Sequence, residues 1–237
     1  MPISAGESRD SAITIQGVLF DMDGTLIDSE PLWHRHEEEL MASFNYGWLE
    51  EDQRYCLGGP LSKVGQYMFE KVGHLETPEF FTDELIRRVE NDLRNGVLFM
   101  PGALELAELI HDAGIALALV SASPRNLMDA ALDGVALASR YGRDLFALSI
   151  SANDVVKTKP DPEGYISAAT QLGVDIEQCL ALEDSLTGIQ SATTSGARTV
   201  AIPHYISVEE TQRLRVIPSL ENLTILDLQA LFDSMAS

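Results

Sequence analysis

The sequence predicts an α/β fold, a doubly wound parallel sheet interrupted once by a small inserted α-helical domain. Three observations carry that expectation. Five short apolar runs rich in Ile, Val, Leu and Ala recur along the chain, as strands covered on both faces do. Helical patterns separate most of them, and strand–helix alternation is the mark of a parallel sheet. Between about Pro31 and Gly96 the alternation stops, and four helical stretches follow one another with no strand between them.

Taken in order, residues 1–12 read as a loose tail and ITIQGVLF (13–20) as the first strand. The helical stretches are PLWHRHEEELMASF, LEEDQRYC, LSKVGQYMFEKV and TPEFFTDELIRRVENDLRNG; in the last, Phe81, Leu85, Val89 and Leu93 recur every four residues, which makes one apolar face. Roughly 65 residues is near the lower size of a domain. The division expected is therefore 13–29 plus 100–237 as the α/β unit and 30–99 as the insert. Ser29–Pro31 and Phe99–Gly102 would join them, with Pro and Gly suited to a hinge or a plain boundary. ALELAELIHDAG (103–114) then ends in a Gly stop, as does GYISAATQLG (164–173). The remaining strands are IALALVS (115–121), FALSIS (146–151), CLALE (179–183) and RTVAIP (198–203).

Composition narrows the function. A chain of 237 residues, 45% hydrophobic, can bury a real core. Its 37 acids against 16 bases leave a formal charge of -21, which speaks against nucleic acid and anionic membranes as partners. An anionic substrate would then need a locally positive site, most simply one holding a metal. Cys56 and Cys179 form no metal-type or redox pair, the N-terminus lacks an apolar signal core, and no apolar run approaches membrane-spanning length. A soluble, cytoplasmic protein is expected, with a monomer as the default.

The chemistry concentrates in VLFDMDGTLIDSE (18–30), where Asp21, Asp23, Asp28 and Glu30 follow an apolar run. In open α/β sheets ligands bind beyond the carboxyl ends of the strands. Asp21 and Asp23 fall there after the first strand, and Glu183 and Asp184 after the fourth. Clustered carboxylates repel one another unless a cation offsets them, and hard oxygen ligands favour Mg²⁺. A calcium loop is excluded, because its sixth and twelfth positions would be Leu26 and Leu32 rather than Gly and Glu. On the anion side, SASPRNLM follows the second strand, with Ser123 suited to a helix N-cap and Pro124 to the first helical position. Free backbone N–H groups there and the Ser121 hydroxyl make a phosphate site. Lys159 precedes Pro160 in the loop between the third and fourth strands, and Asp161-Pro162 starts the next helix.

DMDGT, SAS, KPDP and EDS, in that order, resemble the four motifs of the haloacid dehalogenase superfamily of phosphohydrolases. The resemblance covers nearly the whole chain, with a Rossmann-like core and the helical insert as cap. DSEPLW and ALEDSLTGIQSA bring it close to the branch of sugar-phosphate phosphatases and β-phosphoglucomutase. It implies Asp21 as nucleophile, giving an aspartyl phosphate, and Asp23 as general acid and base. Asp23 also argues against dehalogenase activity, whose members lack it. Mg²⁺ would be held by Asp21, the Asp23 carbonyl and Asp184, with Glu183 direct or through water. Ser121, Lys159 and the backbone near Met22 and Ala122 would hold the phosphoryl oxygens, with Asp28 and Glu30 in the hinge.

Three functions compete on these residues. A Mg²⁺-dependent phosphomonoesterase on a small sugar or polyol phosphate leads. The alternatives are a phosphoglucomutase-type isomerase and a phosphate-binding protein without turnover. Trp33 stands where the mutase has a cap histidine, and CLGGP (56–60), containing Gly58, lacks the mutase's cap-turn arginine; Lys63 is the nearest base. Other residues read as structural. His34 and His36 point to different helix faces, His74, His111 and His204 stand alone, and Glu37 to Glu39 form a solvated face.

Overall fold

The computed structural model describes residues 14–56, 61–204 and 206–235, so the expected tail at 1–12 and Gly58 lie outside the described residues. Strands β1 (Gly17–Phe20), β2 (Ala116–Val120), β3 (Leu148–Ile150), β4 (Cys179–Glu183), β5 (Arg198–Ala201) and β6 (Leu214–Val216) form one sheet in the order β3-β2-β1-β4-β5-β6. All five pairings are parallel. The helices are α1 (Glu30–Ser43), α2 (Glu50–Cys56), α3 (Leu61–Lys71), α4 (Pro78–Asn95), α5 (Ala103–Asp112), α6 (Arg125–Ala138), α7 (Glu163–Leu172), α8 (Leu186–Ser195) and α9 (Ile225–Asp233). This is the doubly wound α/β fold that the strand–helix alternation predicts.

Strand alternation builds two apolar layers. Val18, Phe20, Leu117, Leu119, Leu180 and Leu182 face one side, where α5, α6 and α9 cover them with Leu106, Ile110, Leu127, Met128, Leu228 and Phe232. Leu19, Ala118, Val120 and Ala181 face the other, covered by Tyr165 and Ala168 of α7 and Ala192 of α8. With both faces dry, the strands are apolar throughout, and each large side chain contributes roughly 1.5–3 kcal/mol.

Except for β4, which spans all of CLALE, the expected strands are shorter than their apolar runs. FALSIS yields three strand residues, and β1 starts at Gly17 rather than at residue 13. The edge strand β6 and helix α9 carry no strong sequence signal. LRV is too short to show a period, and α9 announces itself only through the capping box of Thr224 and Asp227.

Helices α1 to α4 surround a cluster of their own, built from Leu40, Met41, Cys56, Val64, Met68, Phe81 and Leu85. The apolar stripe of α4 is shared: Phe81 and Leu85 enter that cluster, whereas Val89 and Leu93 join the sheet's core. The segments just before and after the helical interval also pair with each other, Asp28 N–H donating to the Leu98 carbonyl at 2.8 Å and Met100 N–H to the Leu26 carbonyl at 3.0 Å. Gly134 of α6 lets α4 approach, since a Cβ there would stand 2.1 Å from the Leu93 carbonyl oxygen.

Gly134→Ala therefore inverts the usual helix rule, by which Ala exceeds Gly in stability by roughly 0.5–1 kcal/mol. An overpacking cost of about 1–3 kcal/mol should lower the melting temperature by roughly 2–10 °C. A thermal melt in which the variant matches or exceeds the parent contradicts this account of the α4–α6 contact.

Candidate active site

Register alone brings the two acidic motifs together. Phe20 pairs with Leu182 across β1 and β4, so Asp21 and Glu183 leave the sheet side by side. The Asp21 N–H donates to Leu182 at 3.0 Å, the Ile202 N–H to Glu183 at 2.7 Å, and the Ser121 N–H to Ile150 at 2.9 Å. These bonds hold the strand ends in one plane. The strand order reverses beside β1, which opens a crevice at this edge.

Lys159 fills the centre of the crevice. Its side chain, 8% exposed, donates to Asp21 Oδ1, to Glu183 Oε1 at 2.6 Å and to the Val120 carbonyl at 2.9 Å. Glu183 is wholly buried and also accepts from the Tyr165 hydroxyl at 2.7 Å. One cation thus faces three acids, because Asp21, Glu183 and Asp184 each offer an oxygen within 4.8 Å of the others. Burial first, and then Glu183, hold the Asp21 carboxyl well above the usual carboxylate range despite Lys159. Burial and Glu183 likewise push Asp184 up to about 6, against the lowering influence of Lys159 and His204. Lys159 stays charged, since Asp21 and Glu183 outweigh the burial that opposes its charge.

Asp23 lies apart from that cluster. Its carboxylate accepts from the Ser29 hydroxyl at 2.7 Å, from Ser123 at 2.8 Å and, more weakly, from Ser121 at 3.4 Å. Gly24 makes the turn directly after Asp23, with φ of +82°, and a Cβ there would come within 2.3 Å of Asp184. Both conformation and space exclude a side chain at that position. Thr25 reaches Asp184 at 3.5 Å, and His204 donates to the Gly24 carbonyl at 2.9 Å.

Several expectations need correction. Ser123 is not a helix cap: α6 begins after Pro124 with no side-chain cap, and the Ser123 hydroxyl belongs to Asp23. His204 does not stand alone, since it bonds the loop that carries Asp23. Nor is the Glu37–Glu39 run uniformly solvated, for Glu37 is 7% exposed. Ser29, Ser123 and Tyr165 were missed as site residues because a hydroxyl shows no partner until the chain is folded.

The other candidates scatter, apart from Ser121, which stays beside Asp23. Ser121 is buried at the end of β2, where its oxygen accepts from Ser123 N–H at 2.9 Å, and Ala122 is exposed beside it. Trp33 packs against both apolar clusters, between the four helices and the sheet layer. Lys63 is exposed and donates to the Tyr55 carbonyl at 3.0 Å. Cys56 and Cys179 are buried free thiols, each pushed up to about 12 by burial. Among the described residues no helix is long and apolar enough to cross a membrane.

The cluster's chemistry suits a divalent cation, with three hard oxygens converging and too little positive charge to balance them. Residues 18–202 match the family of haloacid dehalogenase-like hydrolases. Hexitol phosphatase B of Escherichia coli is 31% identical over 191 residues, covering 80% of this chain and 84% of that protein. Among solved structures, a putative beta-phosphoglucomutase from Thermotoga maritima superposes with a TM-score of 0.75 at 24% identity, covering 91% and 98% of the two chains. CbbY from Rhodobacter sphaeroides, in complex with xylulose-(1,5)bisphosphate, gives 0.72 at 25% identity, covering 88% and 96%.

The raised Asp184 carboxyl has a consequence for stability. Its folded value of about 6 exceeds the ordinary 3.8, so between those pH values the folded chain holds more proton than the unfolded one. Stability from this group is present at low pH and is lost as pH rises through 6, by at most about 3 kcal/mol before solvent screening. In metal-free protein, Asp184→Asn should melt above the parent at pH 7.5, with the gap closing by about pH 4.5. A parent as stable as the variant at pH 7.5 refutes the unbalanced cluster.

Proposed function

The chain belongs to the haloacid dehalogenase-like hydrolase family, and on that premise we propose that it is a Mg²⁺-dependent phosphomonoesterase acting on a small sugar or polyol phosphate through an aspartyl phosphate on Asp21. One observation carries the reading. Two buried acids, Asp21 and Glu183, leave adjacent parallel strands with the buried ammonium of Lys159 between them. A phosphate ester can approach a carboxylate nucleophile only where such positive charge is already in position. The name of a relative, hexitol phosphatase B, and the bisphosphate held by CbbY support the substrate class.

The residues divide the work. An Asp21 oxygen attacks phosphorus, and the ester's alkoxide leaves with a proton from Asp23. Asp23 then takes a proton from water, whose oxygen attacks the same phosphorus and frees Asp21 with inorganic phosphate. Ser29 and Ser123 hold the Asp23 carboxylate for both transfers. Lys159, already bonded to Asp21, can shift its donors to phosphoryl oxygens, while Glu183 and Tyr165 hold it in place. Asp21, Asp184, the Asp23 carbonyl and, directly or through water, Glu183 would hold Mg²⁺, which when bound offsets the acids' repulsion and shields the phosphate. Helices α1 to α4 act as a cap over the site, with the paired linkers as its hinge. Trp33, an indole without a titratable proton, favours hydrolysis over the mutase alternative, in which the cap must respond to a bound sugar.

Asp21→Asn should reduce hydrolysis of p-nitrophenyl phosphate by far more than tenfold, about 1.4 kcal/mol of barrier, and retention above that level removes Asp21 as nucleophile. For Asp23→Asn the loss should be roughly a hundredfold to ten-thousandfold, with phosphoenzyme accumulating in rapid-quench labelling; no excess over the parent would count against its role as base. EDTA should abolish turnover, Mg²⁺ restore it and Ca²⁺ inhibit, because longer and more numerous Ca²⁺ bonds misalign Asp21. Full activity without metal sinks the proposed cofactor. Phosphate release should also outpace any conversion of β-glucose 1-phosphate to glucose 6-phosphate in a coupled dehydrogenase assay.

A further inference from the structure

The loop after β1 contains a soft joint where the chemistry needs stiffness. Gly24 follows Asp23 directly and lies so close to the Asp184 carboxylate that no side chain fits there. Glycine is also the residue whose backbone turns most freely. Its N–H closes the turn on the Ile27 carbonyl at 2.8 Å, while the Leu26 and Ile27 N–H groups bond Met22 at 3.0 and 2.9 Å. These bonds shape the turn from within, and none of them reaches outside it.

His204 supplies a tie from outside. β5 ends at Ala201, and the chain runs on past the end of β4, where the Ile202 N–H bonds the Glu183 carbonyl at 2.7 Å. Two residues later, His204 Nε2 lies 2.9 Å from the Gly24 carbonyl oxygen. A carbonyl only accepts, so Nε2 carries the proton and donates it. In the sheet β4 stands between β1 and β5. The bond therefore spans two strand spacings, roughly 10 Å, across the strand whose end carries Asp184. The imidazole is close enough to ease the raised Asp184 carboxyl. Its other side is exposed and borders an open cavity of about 290 Å³, with Thr25, Met100 and Glu221 also in the walls. No packed core stands behind this contact, so the bond acts on the loop and little else.

We infer that His204 is a positioning residue for the second half of the reaction, in which Asp23 takes a proton from water; the inference rests on the phosphatase reading above. Two sets of partners aim Asp23. Ser29 and Ser123 hold its carboxylate at 2.7 and 2.8 Å, and the bond from His204 fixes the peptide one residue on. Asp21 attacks an ester that Lys159 already holds, whereas the water must be met by Asp23 alone. That step is therefore the more sensitive to a shift of the loop, and a misplacement of about 1 Å can cost roughly a hundredfold in rate. p-Nitrophenyl phosphate separates the two halves, because its leaving group departs without a proton from Asp23.

The test measures kcat and kcat/KM for p-nitrophenyl phosphate in the Mg²⁺-loaded full chain carrying His204→Leu or His204→Gln. Leucine removes the donor, and glutamine offers one at nearly the reach of Nε2. In His204→Leu, kcat should fall by about tenfold or more while kcat/KM, which reports the steps up to the phosphoenzyme, stays within about threefold. His204→Gln should regain most of the lost kcat. Both should melt with the parent, since the side chain is exposed; should His204→Leu melt far lower, His204→Asn, whose amide is too short for Gly24, takes its place. A smaller fall in kcat overturns the assignment. So does a kcat/KM that falls in step with kcat, as a loosened site produces, or a glutamine variant no better than leucine. A parent that hydrolyses no phosphate ester overturns the phosphatase reading itself, and the role of His204 with it.

Discussion

A single ammonium group, that of Lys159, allows this structure to close. Three carboxylates meet at the ends of β1 and β4 within 4.8 Å of one another. Burying even one such charge without a partner costs several kcal/mol. Lys159 reaches two of them and is fixed by the Val120 carbonyl as well. The remaining imbalance is visible in the raised carboxyls of Asp21 and Asp184. The fold therefore carries an excess of negative charge at the place where a cation would relieve it.

Small residues make that crowding sterically feasible. Gly24 lets the loop after β1 pass against Asp184, and Gly188 in the first turn of α8 lies so close to Glu183 that a Cβ would overlap its carboxylate at 1.9 Å. Tyr165 pins the same carboxylate from α7. Glu183 is thus held from three sides, by Lys159, Tyr165 and the α8 backbone. That environment suits an acid that positions the lysine at least as well as one that binds a metal directly. The Asp23 carboxylate, held by serines from two loops, is separated from this network and keeps its own hydrogen-bond environment. Two chemically distinct aspartates arise from two distinct sets of partners.

The helical insert joins the core through the same economy. The α4 stripe divides between two apolar clusters, and Gly134 brings α4 against α6. Trp33 of α1 packs against both clusters, which ties the first helix of the insert to the sheet layer as well.

By itself the sequence determined five of the six parallel strands, the helical interval and the acids at the strand ends. These follow from local rules: apolar runs of strand length, a four-residue repeat in Phe81, Leu85, Val89 and Leu93, and loop residues that follow strands. The motifs in DMDGT, SAS, KPDP and EDS carried the family resemblance for the same reason, since each is a contiguous turn with its own backbone requirement. Only the tertiary structure decided that Ser123 serves Asp23 rather than capping a helix, that Tyr165 completes the Lys159–Glu183 network, and that Glu37 alone of its acidic run is buried. The first two depend on partners 100 and 18 residues distant, Asp23 from Ser123 and Glu183 from Tyr165. A hydroxyl or carboxyl has no orientation to read until register and helix packing bring its partner within a few ångströms.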